Sequence, residues 1–166
     1  MTPYFYKDYV EDKDSLIFKH EPYFTSDHIH KRKKLHQSWC ELYNLDYQNE
    51  KPELNFNLRQ IQIGMNRWKR NKPVLVMQTN GGPMKDQPFA YSWTRDMSMD
   101  LAQALADSLS SQYHIIQICR DERNALKNVE VVTEQMSNME LLSVLLFSEK
   151  RLLIDSCLQH GAAALG

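Results

Sequence analysis

Residues 151–166 read RLLIDSCLQHGAAALG, and this stretch decides the fold. Leu152, Leu153 and Ile154 form a short apolar run without alternation. That is the pattern of a strand buried on both faces, as in a parallel sheet. Asp155 and Ser156 follow at once, and both residue types begin helices. Ala162, Ala163 and Ala164 are strong helix formers, small enough to pack closely on a sheet, and Gly166 suits the position just past a helix end. A strand that ends in Asp-Ser and turns into a helix puts two polar side chains and free backbone N–H groups at the carboxyl edge of the sheet. The positive end of the helix dipole is there too, and anions bind at such points.

Outward from that stretch, size and composition set the bounds. The chain has 166 residues, 42% hydrophobic and 25% charged, the profile of one soluble globular domain with or without an extension. A formal charge of −1 excludes a nucleic-acid protein that relies on bulk charge. No apolar run is long enough to span a membrane, and the N-terminus lacks the apolar core of a signal peptide. Cys40, Cys119 and Cys157 are far apart, with no C-x-x-C, and read as reduced thiols of a cytoplasmic protein.

Working back toward the N-terminus, Ser137 or Asn138 starts a helix through Leu141, Leu142, Leu145 and Leu146. Residues 129–132 and 113–119 are strands. Thr94 or Asp96 caps a helix with Met97, Leu101, Leu105 and Leu109 at every fourth position. Residues 73–78, PVLVMQ, are a buried strand, residues 79–83 a sharp turn in which Gly81 and Gly82 allow close backbone approach, and residues 84–92 a loop. Asn57 with Gln60 resembles a capping box for a helix through Ile61, Met65 and Trp68. Leu54, Phe56 and Leu58 alternate as a short strand would, and residues 44–52 are a loop. Ser26 or Asp27 caps a helix to about Tyr43, whose first half carries the basic run 30–34, HKRKK. That run is a solvated face or a phosphate or lipid contact. Residues 1–14 form an aromatic, charged arm, residues 15–19 a short strand and residues 20–23 a turn. The order of strands and helices from residue 73 is that of a wound, parallel α/β sheet, with residues 1–72 as an N-terminal arm and helical linker and 73–166 as an incomplete Rossmann-like domain.

In such sheets ligands sit outside the carboxyl ends of the strands. Three clusters fall there: Thr79, Asn80, Gly81 and Gly82; Arg120, Asp121 and Glu122; and Asp155, Ser156 and His160. The glycine turn reads as a plain tight turn or a phosphate loop, Asp155-Ser156 as a helix cap or a ligand contact, and His160 as a packed or surface histidine or a phosphate contact. His28 and His30 alternate as zinc ligands on a strand would, but they fall at a helix start, where they diverge; no metal site is assigned. Cys157 is either an activated thiol at a helix start or a buried structural one. No Walker loop, G-x-G-x-x-G or nucleophile elbow is present.

Three segments carry a family resemblance: KPVLVMQTNGG (72–82), YSWTRDMSMDLAQAL (91–105) and LLIDSCLQHGAAALG (152–166). Together they resemble the second, nucleotide-sugar-binding domain of the ADP-heptose–lipopolysaccharide heptosyltransferases, glycosyltransferase family nine. The last segment is the most specific, and resembles an Asp-(Ser/Thr)-Gly-x-x-His-x-Ala-Ala-x-Gly signature. The resemblance covers somewhat over half of the chain and implies half of a GT-B fold, truncated, without the first domain that supplies the acceptor site and the usual base. It implies that Thr79, Asn80, Gly81, Gly82, Asp155, Ser156 and His160 face a nucleotide-sugar donor such as an ADP-sugar, with no further cofactor. Tyr91 stands where the family has a lysine, which leaves Lys85 and Arg95 as candidate phosphate contacts; Thr94 stands at a proline, Asp96 at a glutamate and Cys157 at a glycine. No general base is assigned. Beside this glycosyltransferase-like reading stand a non-catalytic nucleotide- or partner-binding module and a structural role with the arm and basic helix as contact surfaces. Half a wound sheet also leaves an open strand edge and uncovered helix faces, to be covered by the N-terminal helices or by a second copy in a homodimer.

Overall fold

The computed structural model describes residues 25–81 and 96–166. The expected arm, the strand at 15–19, the turn at 20–23, the loop at 84–92, and Gly82, Lys85, Tyr91, Thr94 and Arg95 lie outside the described residues. The chain divides into two compact units, Met1–Glu50 and Lys51–Gly166.

In the first unit, the expected single helix to Tyr43 is instead two, α1 (Ser26–Ile29) and α2 (Leu35–Leu42). Thr25 caps α1, its hydroxyl accepting the His28 N–H at 3.3 Å. The basic run breaks the helix. Lys31 takes a left-handed φ of 54°, which a continuing helix does not allow. The turn brings Lys33 Nζ to 2.9 Å from Asp27 and 2.7 Å from Glu41, and Lys34 Nζ to 2.8 Å from Asn49 Oδ1. A continuous helix would have stacked five basic side chains over its positive end; the break lets acidic partners reach them. The hydrogen bond from Lys33 pulls the Asp27 carboxyl below its usual range, and that with Glu41 pushes Lys33 up.

The second unit begins with extended chain. Residues 51–57 pair with no strand among the described residues, so the expected strand around Leu54 and Phe56 is absent. Its alternation is cut short because Asn57 starts α3 (Leu58–Trp68). Asn57 Oδ1 accepts the Gln60 N–H and Gln60 Oε1 accepts the Asn57 N–H, both at 2.9 Å, which completes the expected capping box. Leu58 therefore sits on an exposed helical turn, and α3 buries Gly64 and Trp68.

Four parallel strands follow: β1 (Val74–Gln78), β2 (His114–Ile118), β3 (Glu130–Val132) and β4 (Lys150–Leu153), in the order β3-β2-β1-β4. Between and after them come α4 (Met99–Leu109), a 3₁₀ turn (Glu122–Asn124), α5 (Asn138–Ser143) running into a 3₁₀ turn (Val144–Phe147), and α6 (Cys157–Leu165). The chain winds outward from β1 to β3 and then crosses back to place β4 on the other side of β1. This is the α/β, Rossmann-like half-sheet that the sequence implied.

Helices cover both faces of the sheet. On one face Val74, Val76, Ile116, Ile118 and Val132 pack with Trp68 of α3, Val144, Leu145 and Leu158 of α6. On the other, Leu75, Met77 and Ile115 pack with Ala102 and Ala106 of α4 and with Leu126. Each fully buried aliphatic side chain here contributes roughly 2 kcal/mol. Trp68 Nε1 donates to Ser143 Oγ at 2.9 Å, so the indole is buried with its polar atom satisfied. The compact units divide at residue 50, and α3, part of the expected N-terminal linker, covers part of one face of the sheet through Trp68.

Two further expectations are corrected. The helix expected from Thr94 or Asp96 begins at Met99 with Ser98 before it, and it buries Ala102 and Ala106 and leaves Leu101 53% exposed. A four-residue leucine spacing drifts around a 3.6-residue helix, and small alanines let the helix approach the sheet. β4 is an outer strand and is only partly buried, although Leu152 and Leu153 do pack on opposite faces. By contrast Ser137 and Glu140 complete a capping box for α5 where the sequence placed that helix start.

Candidate functional site

The winding reverses between β1 and β4, and the open crevice of such a sheet lies at the carboxyl ends of those two strands. Gln78, Thr79, Asn80 and Gly81 end β1; Ile154, Asp155 and Ser156 end β4 and lead into α6. The two ends are joined. The Ile154 N–H donates to the Gln78 carbonyl at 3.2 Å, and the Ser156 hydroxyl bonds Gln78 Oε1.

That second bond changes the start of α6. Ser156 holds the N-cap position with extended backbone, but its side chain makes no cap bond. The hydroxyl is committed to Gln78 across the crevice, so the first-turn N–H groups of α6 are not taken up by the cap side chain. Asp155 and His160 are both exposed, with His160 Nε2 4.0 Å from Asp155 Oδ1. Cys157 is the first residue of α6 and is exposed, which corrects the reading as a buried structural thiol.

On the β1 side, Thr79 and Asn80 are buried. The Gly81 N–H donates to Asp96 Oδ1 at 2.9 Å, and the Met97 N–H donates to the Thr79 carbonyl at 2.7 Å. Asp96, expected as a helix cap, thus pins the turn after β1 to the segment before α4. It also places a carboxylate beside one of the backbone donors that an anion would use.

The cluster after β2 is used locally. Asp121 caps the 3₁₀ turn by accepting the Arg123 N–H at 3.0 Å and pairs with the Arg123 guanidinium. These bonds hold its carboxyl down at about 2. Arg120 is exposed. Cys119 is buried, which pushes its thiol up, and its Sγ donates to the Asp121 carbonyl at 2.9 Å. Among the described residues no three His, Cys, Asp or Glu side chains gather as a metal site requires, and no helix is long and apolar enough to cross a membrane.

The structure therefore brings Thr79, Asn80, Gly81, Asp155, Ser156 and His160 to one edge of the sheet. It adds Gln78 and Asp96, and behind them Gln117. Gln117 is fully buried in β2, where its side chain meets Thr79. The one sequence signal for it is a lone polar residue inside the apolar run 115–119, IIQIC.

No protein-family model matches this chain, and no curated protein sequence matches it. Among solved structures, it is similar to E. coli ADP-heptose LPS heptosyltransferase II, at 18% identity and a TM-score of 0.49, over 75% of this chain and 40% of that one. The chain thus spans well under half the length of that enzyme.

Proposed function

We propose that the crevice between the carboxyl ends of β1 and β4 binds a nucleotide sugar, such as an ADP-sugar, and that the chain is the donor-binding part of a heptosyltransferase-like glycosyltransferase. The observation that carries the reading is the Ser156–Gln78 bond at the point where the winding reverses. It leaves the α6 N-terminus without a side-chain cap and directly beside the turn after β1, in the place where wound sheets hold phosphates. The sequence resemblance, with Asp155, Ser156 and His160 in its most specific segment, points to the same edge.

In this reading the α6 N-terminus holds the diphosphate and stabilises it as it leaves in a direct displacement at the anomeric carbon. Asp155 and Ser156 orient the donor, and His160, exposed one turn into α6, reaches its phosphates. Gly82, with Arg95 or Lys85, completes the phosphate contacts. A general base and the acceptor come from outside these residues. Association of two copies through the outer strands β3 and β4, each paired on one side only, goes with the same reading; sedimentation that gives a monomer at all concentrations would reject it.

The test of the site is calorimetric titration with ADP, UDP, GDP and their sugars. Saturable binding of an adenine nucleotide, weakened about tenfold or more in Asp155→Ala and in His160→Ala, is the expected result. Equal affinity in the variants would move the site elsewhere. Binding without sugar transfer, even with acceptor and a complementary domain added, would favour the alternative, a non-catalytic nucleotide-binding module.

A further inference from the structure

Gln117 occupies a place where an aliphatic side chain would be the simpler choice. Its β2 neighbours Ile115, Ile116 and Ile118 are all buried, and Gln117 itself is 0% exposed. A buried amide is tolerated only when its polar atoms find partners. Here they do: Nε2 donates to Thr79 Oγ1 at 3.1 Å and to the Asn124 carbonyl at 2.9 Å, and Oε1 accepts the Leu126 N–H at 2.8 Å. One side chain thus ties the end of β1 to the segment that follows β2.

These bonds have a direction. Gln117 Nε2 carries only hydrogens, so Thr79 Oγ1 must accept from it. The Thr79 hydroxyl hydrogen is then free to go to its other neighbour, Asn80 Oδ1, at 3.3 Å. Cys119 Sγ approaches the same oxygen, at 3.9 Å. An asparagine whose oxygen is held in this way has its orientation fixed by the network. Its NH₂ half meets no partner among the described residues, and since no buried side-chain nitrogen or oxygen there goes unpaired, it reaches the protein surface.

We infer that Gln117 is a positioning residue: acting through the Thr79 hydroxyl, it locks the Asn80 amide with its NH₂ group presented as a donor at the end of β1, toward a phosphate or hydroxyl oxygen of the ligand. The placement of a ligand there rests on the proposed function; the relay from Gln117 through Thr79 to Asn80 does not. A leucine at 117 would fill the space but leave the threonine hydroxyl unaimed. A glutamate would accept the Thr79 hydrogen in place of donating, and so reverse the relay and release Asn80.

The experiment uses the full chain with Gln117→Glu, Gln117→Met and Thr79→Val, the last nearly isosteric but lacking the hydroxyl. The first readout is the Asn80 side-chain NH₂ pair in nitrogen-edited NMR spectra, assigned by its loss in Asn80→Asp. All three variants are expected to shift or broaden it, while amide signals from α3 and α5 stay in place. The second readout is ADP affinity, expected to fall about tenfold in each variant, with Gln117→Met plus Thr79→Val no worse than the weaker single variant. An unmoved Asn80 signal in the folded variants overturns the relay, and a loss of thermal stability with unchanged ADP affinity overturns the positioning role toward a ligand. A moved signal in a chain whose wild type binds no nucleotide sustains the relay and overturns the ligand reading alone.

Discussion

Ser156→Ala and Gln78→Met, made singly and together, test the contact on which the site depends. A serine at an N-cap normally contributes about 1 kcal/mol through its bond to the first helical turn. In α6 that bond is absent, and the hydroxyl bonds Gln78 Oε1 instead. Ser156→Ala should therefore cost only what a neutral, part-buried hydrogen bond contributes, about 1 kcal/mol. Gln78→Met keeps the length of the side chain and removes the acceptor, so it should cost about the same. Since both changes remove one bond, the double variant should also lose about 1 kcal/mol, not 2, a coupling of about 1 kcal/mol. For a chain of this size each kilocalorie is about 2–4 °C in Tm, so urea unfolding followed by circular dichroism is the better assay. Additive losses would refute the reasoning. So would a Gln78→Met variant as stable as wild type beside a weakened Ser156→Ala, because that pair of results belongs to a serine that caps α6.

Glu130 of β3 fastens the amino edge of the sheet, with Arg70 Nε at 3.0 Å, Arg70 Nη2 at 2.5 Å and His114 Nε2 at 2.6 Å. Burial pushes its carboxyl up, but Arg70 and His114 more than offset this and hold it below the ordinary 4.5. A lowered carboxyl contributes stability that is full above its unfolded value and is lost as pH falls through the folded value. Unfolding from neutral pH to below pH 4.5 should thus show a loss that is smaller in Glu130→Gln, with the variant about 1 kcal/mol less stable at neutral pH; parallel pH curves for the two would contradict it. At Gly161, an added Cβ would lie 2.5 Å from Leu142 Cδ2 and 3.0 Å from the buried Leu145 Cδ1. The gain of roughly 1 kcal/mol in helix propensity from Gly161→Ala is outweighed by about 1–3 kcal/mol of overpacking, so the variant should unfold at lower denaturant; a stabilised variant would mean that the two leucines move aside at no cost.

What could be read from the chain was local. The capping boxes Asn57–Gln60 and Ser137–Glu140 close within one helical turn, so their residues alone specify them. β1 was legible as an apolar run and β2 as one interrupted by Gln117, because a central parallel strand is buried on both faces. Where reading failed, distant parts of the chain decided. The helix expected from Ser26 breaks because Lys33 has better partners in Asp27 and Glu41 than a continuous helix would give it. Leu101 is exposed and Ala102 buried because the sheet, not the leucine spacing, chooses the face of α4.

The sequence by itself determined the α/β class, the order of the elements from residue 73 and the approach of two polar segments to one edge of a sheet. Periodicity, caps and the handedness of crossovers act over a few residues and leave little choice. Only the tertiary structure decided that β4 lies beside β1, that Ser156 turns from its own helix to Gln78, and that Gln117 finds Thr79, Asn124 and Leu126. Each of these joins residues of different segments, at least seven positions apart in the chain. A polar side chain carries no mark of its partner until packing excludes water and leaves that partner as the group within reach.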